Sequence, residues 1–250
     1  MTPEIKSPIA LRLVGDIHGR YETYFKLIEG IPYSLQLGDM GFRYIPLMEF
    51  VDPERHKFVP GNHDGYHKEL SNLTEAEVVG DRFHTAIGSQ MVYRFTRLPP
   101  HFLGHWGTWS VPETNKNIFY VRGASSIDRK YRTFGVDWFQ EEQLSYTEWQ
   151  QCFKDYEKAK PEFVVSHDAP FFLLPEIINP AWGILEQSIT TAGLAELWNR
   201  HQPRMWVFAH FHKSWRRKYG NTFFVCLNIN ETLDLDKELK IISNERQEPA

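Results

Sequence analysis

A chain of 250 residues, 42% hydrophobic and 24% charged, has the length and composition of a folded domain with a sizeable core, which excludes a low-complexity or disordered chain. Its formal net charge of −4 excludes nucleic-acid binding through bulk positive charge and leaves only local basic patches open. Two cysteines, Cys152 and Cys226, stand in no metal-binding or redox spacing, which argues against a disulfide framework and suits a reducing compartment.

In chain order, the N-terminus carries Pro8 and Arg12 inside its apolar stretch, and no later run approaches the roughly 20 apolar residues of a spanning helix, so a soluble cytoplasmic protein without membrane contact is expected. The run "IALRLVGD" reads as a buried strand ending at Asp16, and "RYETYFKLIEG" as a helix stopped by Gly30. "YSLQLGD" is a second strand, again running into Gly-Asp, and "HKFVPGNHD" a third whose polar loop opens at Gly61. Between Asp81 and Gln140 the segments "MVYRF" and "NIFYVRGA" read as strands, and "LPPHFLGHWGTWSVPETNKN" as a loop or long hairpin. "SYTEWQQCFKDYEKAK" reads as a helix capped by Ser145 or Thr147, and "SITTAGLAELWNRHQ" as another. "PEFVVSHDAP", "RMWVFAHFH" and "NTFFVCLN" complete the strands. No linker or repeat divides the chain, so residues 1–250 are expected to form one α/β domain, with 81–140 as a candidate lid or insertion. Aromatic residues at 15% indicate well-filled packing, with an aromatic-lined cleft as the alternative.

The strand ends share one chemistry: Asp16 and His18, then Asp39, Asn62 and His63, His167, and finally His210 and His212. On an extended segment residues i and i+2 point the same way, so Asp16 and His18 can converge on one ion. Taken singly, H-x-H fits packing or surface chemistry better than a ligand pair, and G-N-H-D fits a turn as well as a site. Five such segments in order, each following a strand, point instead to a metal site. Carboxylate, imidazole and amide oxygen suit Mn, Fe, Zn or Ni rather than Ca. Eight such groups exceed what one ion takes and suit two ions with a shared bridge. Two dications against Asp16 and Asp39 leave a local excess of about +2, which attracts a phosphate ester.

The segments "GDIHG" (15–19), "GD" (38–39), "GNHD" (61–64), "SHDAP" (166–170) and "AHFH" (209–212) resemble the ordered motifs of the calcineurin-like metallophosphoesterase superfamily. That resemblance implies two mixed β-sheets packed face to face and flanked by helices, a four-layer αββα sandwich. It implies two divalent ions, manganese foremost with iron, zinc or nickel as alternatives. Asp16, His18 and His212 would hold one, Asn62, His167 and His210 the other, and Asp39 would bridge them. A bridging hydroxide would attack phosphorus, and His63 would serve the leaving oxygen as general acid.

Three departures from the motifs matter. Phe42 stands where the protein Ser/Thr phosphatases carry the aspartate that orients the catalytic histidine, although Arg43 matches the arginine that follows. Ala209 replaces a usual glycine, and Asp168 follows His167 as a candidate acceptor that would orient it. The missing aspartate resembles the smaller phosphodiesterase-type members, which directs the expectation to a phosphodiester or small nucleotide. A phosphomonoesterase (protein Ser/Thr phosphatases included), a nuclease and a catalytically silent scaffold are the alternatives. Arg20 and Arg43 are candidates for gripping phosphate oxygens. The run "HKSWRRKYG" is a nucleic-acid footprint or a polar hairpin, and "RGASSIDRKYRTFG", with Arg129 and Arg132, is a candidate lid.

Overall fold

A computed structural model describes residues 8–41, 44–64, 78–85, 88–95, 99–126, 128–134, 138–178 and 187–242. In chain order the elements are β1 (Leu11–Val14), α1 (Tyr21–Ile28), β2 (Ser34–Gln36), α2 (Ile45–Phe50), β3 (His56–Phe58), β4 (Val78–Thr85), β5 (Gly88–Phe95), β6 (Trp106–Ser110) and β7 (Asn117–Val121). There follow α3 (Tyr146–Ala159), β8 (Phe163–Ser166), α4 (Leu174–Ile177), α5 (Ile189–Arg200), β9 (Met205–Phe208), β10 (Trp215–Tyr219), β11 (Thr222–Cys226) and β12 (Thr232–Leu235).

Ten of these strands form two mixed sheets, ordered β12-β1-β2-β3 and β10-β11-β9-β8-β7-β6. In both, the inner pairings are parallel and the antiparallel neighbours lie at the edges. Parallel strands present their carboxyl ends at one edge of a sheet, which is why the polar residues that follow β1, β2, β3, β8 and β9 can gather.

Alternation along the strands builds the layers. Leu11 and Leu13 of β1, Leu35 of β2, Val165 of β8 and Val207 of β9 point into a core between the sheets. Val14 and Phe58 face the other way and are covered by Tyr24 and Ile28 of α1 and Leu47 of α2. On the far side Val164, Trp206 and Phe208 meet Trp149, Cys152 and Tyr156 of α3 and Leu194 and Leu197 of α5. The four-layer αββα sandwich is therefore present, each fully buried large apolar side chain contributing about 1.5–3 kcal/mol. Most of the aromatics serve this packing: Trp206, Tyr24, Tyr156 and Phe58 are among the largest fully buried side chains. Helix α3 starts as the sequence predicts, at Ser145, whose hydroxyl accepts from Glu148 N while Glu148 answers to Ser145 N.

The structure adds detail where the sequence left alternatives open or predicted no element. The stretch 99–117, read as a loop or long hairpin, holds β6, which pairs antiparallel with β7 across 111–116 and completes the six-stranded sheet. The basic run after His212 holds strand β10, which forms a hairpin with β11 in line with the hairpin reading, and β12, for which the sequence predicts no element, pairs with β1. There Arg12 and Asp234 sit opposite each other and form a two-point ion pair at 2.6 and 2.8 Å. Strands β4 and β5 pair with each other as a two-stranded ribbon. No helix among the described residues is long and apolar enough to cross a membrane.

Candidate metal centre

Each strand end turns sharply before delivering its side chain. His18, Asp39, His210 and His212 all adopt positive φ, at 45°, 54°, 70° and 50°, a conformation that costs a residue with a Cβ and persists where the surroundings over-determine it. Two glycines make room. At Gly38 (φ 109°) an added Cβ would stand 2.5 Å from His167 Cγ, and at Gly61 it would stand 2.5 Å from His167 Nε2. The Gly-Asp and Gly-Asn pairs thus allow neighbouring loops to close on His167.

Two clusters result. Ligand atoms of Asp16, His18, Asp39 and His212 lie within 4.8 Å of one another, as do those of Asp39, His167 and His210, and Asp39 belongs to both. His212 Nε2 is 3.0 Å from Asp16 Oδ2, and the Nε2 atoms of His18 and His212 stand 2.8 Å apart. His167 Nε2 lies 3.3 Å from Asp39 Oδ1 and 3.2 Å from Asn62 Oδ1. Asp39 Oδ1 also accepts from His63 N at 2.7 Å, and Asp16 Oδ1 from His210 N at 3.2 Å.

These contacts fit a cation. Asp16 Oδ2 is buried with no aligned hydrogen bond although His212 Nε2 lies 3.0 Å from it, and the Nε2 atoms of His18 and His212 converge beside it. Burial raises the pKa of Asp39, but His167 outweighs it and holds the carboxyl well below its usual range. Burial also disfavours charge on His167, and Asp39 overrides it upward. His210 is pushed down to about 3 by burial and by His167, which leaves its ring neutral. Two buried carboxylates, Asp16 and Asp39, beside four imidazoles and the Asn62 amide oxygen make a donor set for borderline-hard divalent ions.

The structure also shows what holds these groups. His167 Nδ1 donates to the Leu37 carbonyl at 2.7 Å, which fixes its tautomer with Nε2 toward Asp39. The expected acceptor, Asp168, is buried and instead accepts from Ala169 N at 2.8 Å. Asp64, the last residue of the third motif, accepts from Gly61 N, Gly41 N and Tyr44 Oη at 2.7, 3.0 and 3.1 Å. It ties the second and third loops together, and burial and Asp39 push it up to about 7. Asn62 donates through Nδ2 to Ser126 Oγ at 3.1 Å, and Ser126 gives both its hydroxyl and its backbone N–H to the buried Glu142 at 2.7 Å. Trp138 Nε1 adds a third donor to Glu142 at 3.0 Å.

His63 is half-buried, its ring edge-on to His18 with centroids 5.2 Å apart. In place of an orienting carboxylate it meets Arg132, whose Nη2 is 2.8 Å from Nε2 and 3.2 Å from Nδ1. Arg20 lies exposed just before α1, and no described hydrogen bond engages its guanidinium; Phe42 and Arg43 lie outside the described residues. The basic strand β10 is largely matched: Arg217 donates to Glu176 at 2.7 Å and Arg216 lies 3.8 Å from Glu231. Ser126, Glu142 and Asp64 had escaped the sequence analysis. Asp64 alone left a signal there, as the turn-forming aspartate of G-N-H-D.

Residues 11–214 match the sequence model of the calcineurin-like phosphoesterases. No curated protein matches the sequence. Among solved structures, the chain is similar to a Staphylococcus aureus protein crystallised with alpha-ketoglutarate, at 12% identity and TM-score 0.44, with 92% of this chain and 52% of that one covered. The chain thus spans about half the length of that protein. It is also similar to the phosphopantetheinyl hydrolase of Mycobacterium tuberculosis, at 13% identity and TM-score 0.44, covering 88% of this chain and 89% of that one. A Thermus thermophilus protein gives 15% identity and TM-score 0.45 over 92% and 96% of the two chains.

Proposed function

Because the chain belongs to the calcineurin-like phosphoesterase family and is by that membership a metallophosphoesterase, we propose that it hydrolyses a phosphodiester or small nucleotide at a dinuclear centre. The observation that carries this reading is the pair of ligand clusters sharing Asp39, drawn from the strand ends of both sheets. Asp16, His18 and His212 would hold one divalent ion, Asn62, His167 and His210 the other, and Asp39 both. Bound there, the ions would supply Lewis acidity and a hydroxide nucleophile at neutral pH, with manganese the first candidate.

The chain's own residues supply the rest. His63 N anchors the bridging carboxylate, which keeps the His63 ring beside the cluster and within reach of a leaving oxygen. The loops of Gly38 and Gly61 close on His167 and exclude water from its side of the site. The absence of an aspartate at position 42 supports the diester lean, and the acidic partners of Arg216 and Arg217 weigh against a nucleic-acid footprint on β10.

Chromogenic phosphomonoester and phosphodiester substrates, offered to metal-stripped protein refilled with manganese, test this reading. Hydrolysis of the diester is expected, with turnover abolished in Asp39→Ala. Undiminished turnover in that variant would rule out Asp39 as the bridge, and hydrolysis of the monoester alone would move the substrate class to phosphatase substrates.

A further inference from the structure

The segment that follows β7 brings a guanidinium to the catalytic edge from outside every motif. Arg132 lies 69 residues from His63 in sequence, yet its Nη2 stands 2.8 Å from His63 Nε2. The side chain is 11% exposed and cannot swing freely. Its Nη2 donates to Asp128 Oδ2 at 2.8 Å and its Nε lies 2.7 Å from Asp128 Oδ1, a two-point ion pair that restrains the guanidinium. The His63 ring it touches abuts His18, and His63 N holds Asp39. A preoriented planar cation therefore stands next to the ligand clusters.

Other arginines near the site are committed elsewhere. Arg122 is buried and donates to His105 Nδ1 and the Glu141 carbonyl at 2.8 and 2.7 Å. Arg129 lies near Ser125 Oγ at 3.4 Å, and Arg217 engages Glu176.

We propose that Arg132, clamped by Asp128, is a substrate-binding residue that grips a non-bridging phosphoryl oxygen of the ester beside His63. The proposal rests on the phosphoesterase reading of the site. An imidazole nitrogen is a weaker acceptor than an anionic phosphoryl oxygen, so an arriving phosphoryl group takes over the Nη2 proton now directed at His63. The exchange shifts the Arg132 hydrogen bond from the His63 ring to the substrate and leaves the ring in place beside the site. Asp128 restrains the guanidinium before substrate arrives, so little rotamer entropy is lost on binding.

Inorganic phosphate is the probe. It is titrated by calorimetry into manganese-loaded wild type, Arg132→Ala, Arg132→Lys and Asp128→Asn, with bound manganese and unfolding temperature measured for each. Phosphate affinity is expected to fall about tenfold or more in Arg132→Ala, the order of one charge-assisted hydrogen bond, with metal content unchanged. Arg132→Lys keeps the charge without the fork and is expected to recover only part of the loss, and Asp128→Asn to lie between wild type and Arg132→Ala. Should Arg132→Ala fail to fold, Arg132→Lys carries the comparison. Phosphate affinity equal to wild type in the folded variants overturns the proposal and leaves the metal reading standing. A wild type that takes up no manganese defeats the dinuclear reading instead, and the same phosphate comparison in metal-free protein then decides Arg132.

Discussion

The amide of Asn62 can present either oxygen or nitrogen to a cation, and only the oxygen coordinates one. Its orientation is set by Ser126, whose hydroxyl proton is committed to Glu142 and whose Oγ therefore has only lone pairs left for Asn62 Nδ2. Glu142 in turn is held by three donors, two from Ser126 and one from Trp138, which compensate its burial. Removing the hydroxyl in Ser126→Ala takes away the acceptor that fixes the amide, while every proposed ligand is retained. Partners of this kind are worth roughly 10–100-fold in metal affinity. Manganese titration of the variant is therefore expected to show one of the two ions weakened by that factor and the other unchanged. Two unaltered binding steps would show that Asn62 keeps its orientation without Ser126. None of this relay was legible in the sequence: Ser126 is 64 residues from Asn62, and the second serine of "RGASSID" has no spacing that distinguishes it. The proposed ligands were legible because each follows a strand end by one to four residues, whereas Ser126, Asp128, Arg132 and Glu142 lie outside the strands and obey no strand period.

Between elements, β2 and β3 are joined by more than their ladder. Ser34 Oγ on β2 is 2.9 Å from His56 Nδ1 on β3, and His101 Nε2 donates to the Val51 carbonyl at 2.8 Å. His101 Nδ1 is buried with no partner, so a proton added there would be an uncompensated interior charge. Burial pushes His56 down to about 4, with Arg55 adding to the shift, and burial lowers His101 as well. The folded state therefore binds fewer protons than the unfolded chain below the ordinary histidine value of 6.5, and stability falls as pH drops from about 6.5 toward 4. Urea midpoints of metal-free protein at pH 7 and pH 5 are expected to differ more in wild type than in His56→Gln, where one of the two titrating groups is gone. An equal difference in both would assign the acid sensitivity to other groups. Edge strands of the six-stranded sheet were the harder ones to read: β6 interleaves glycine and tryptophan, and β10 carries "WRRKY" on an exposed edge where polar residues are tolerated on both faces. The buried parallel strands β1, β8 and β9, with apolar residues on both faces, announced themselves as continuous apolar runs.

Across the whole molecule, the ligand clusters are the place where the two sheets meet through polar rather than apolar contacts. Asp16, His18, Asp39 and Asn62 come from the four-stranded sheet, and His167, His210 and His212 from the six-stranded one. An ion held by groups of both sheets acts as a cross-link across the sandwich, and it offsets the burial of the Asp16 and Asp39 carboxylates. Because a ligand that binds only the folded state stabilises it by mass action, each ion at a hundredfold excess over its Kd adds about 2.7 kcal/mol. For a chain of this size two such ions correspond to a rise in unfolding temperature on the order of 10 °C. The rise is expected to grow with manganese concentration and to vanish on chelation. Asp39→Asn removes the shared anionic ligand with little change in volume, so its metal-free unfolding temperature is expected to stay near that of wild type while its response to manganese disappears. If that variant gains as much from manganese as the wild type does, the ions do not share Asp39, and the sandwich is joined at this edge by two separate sites rather than one bridged centre.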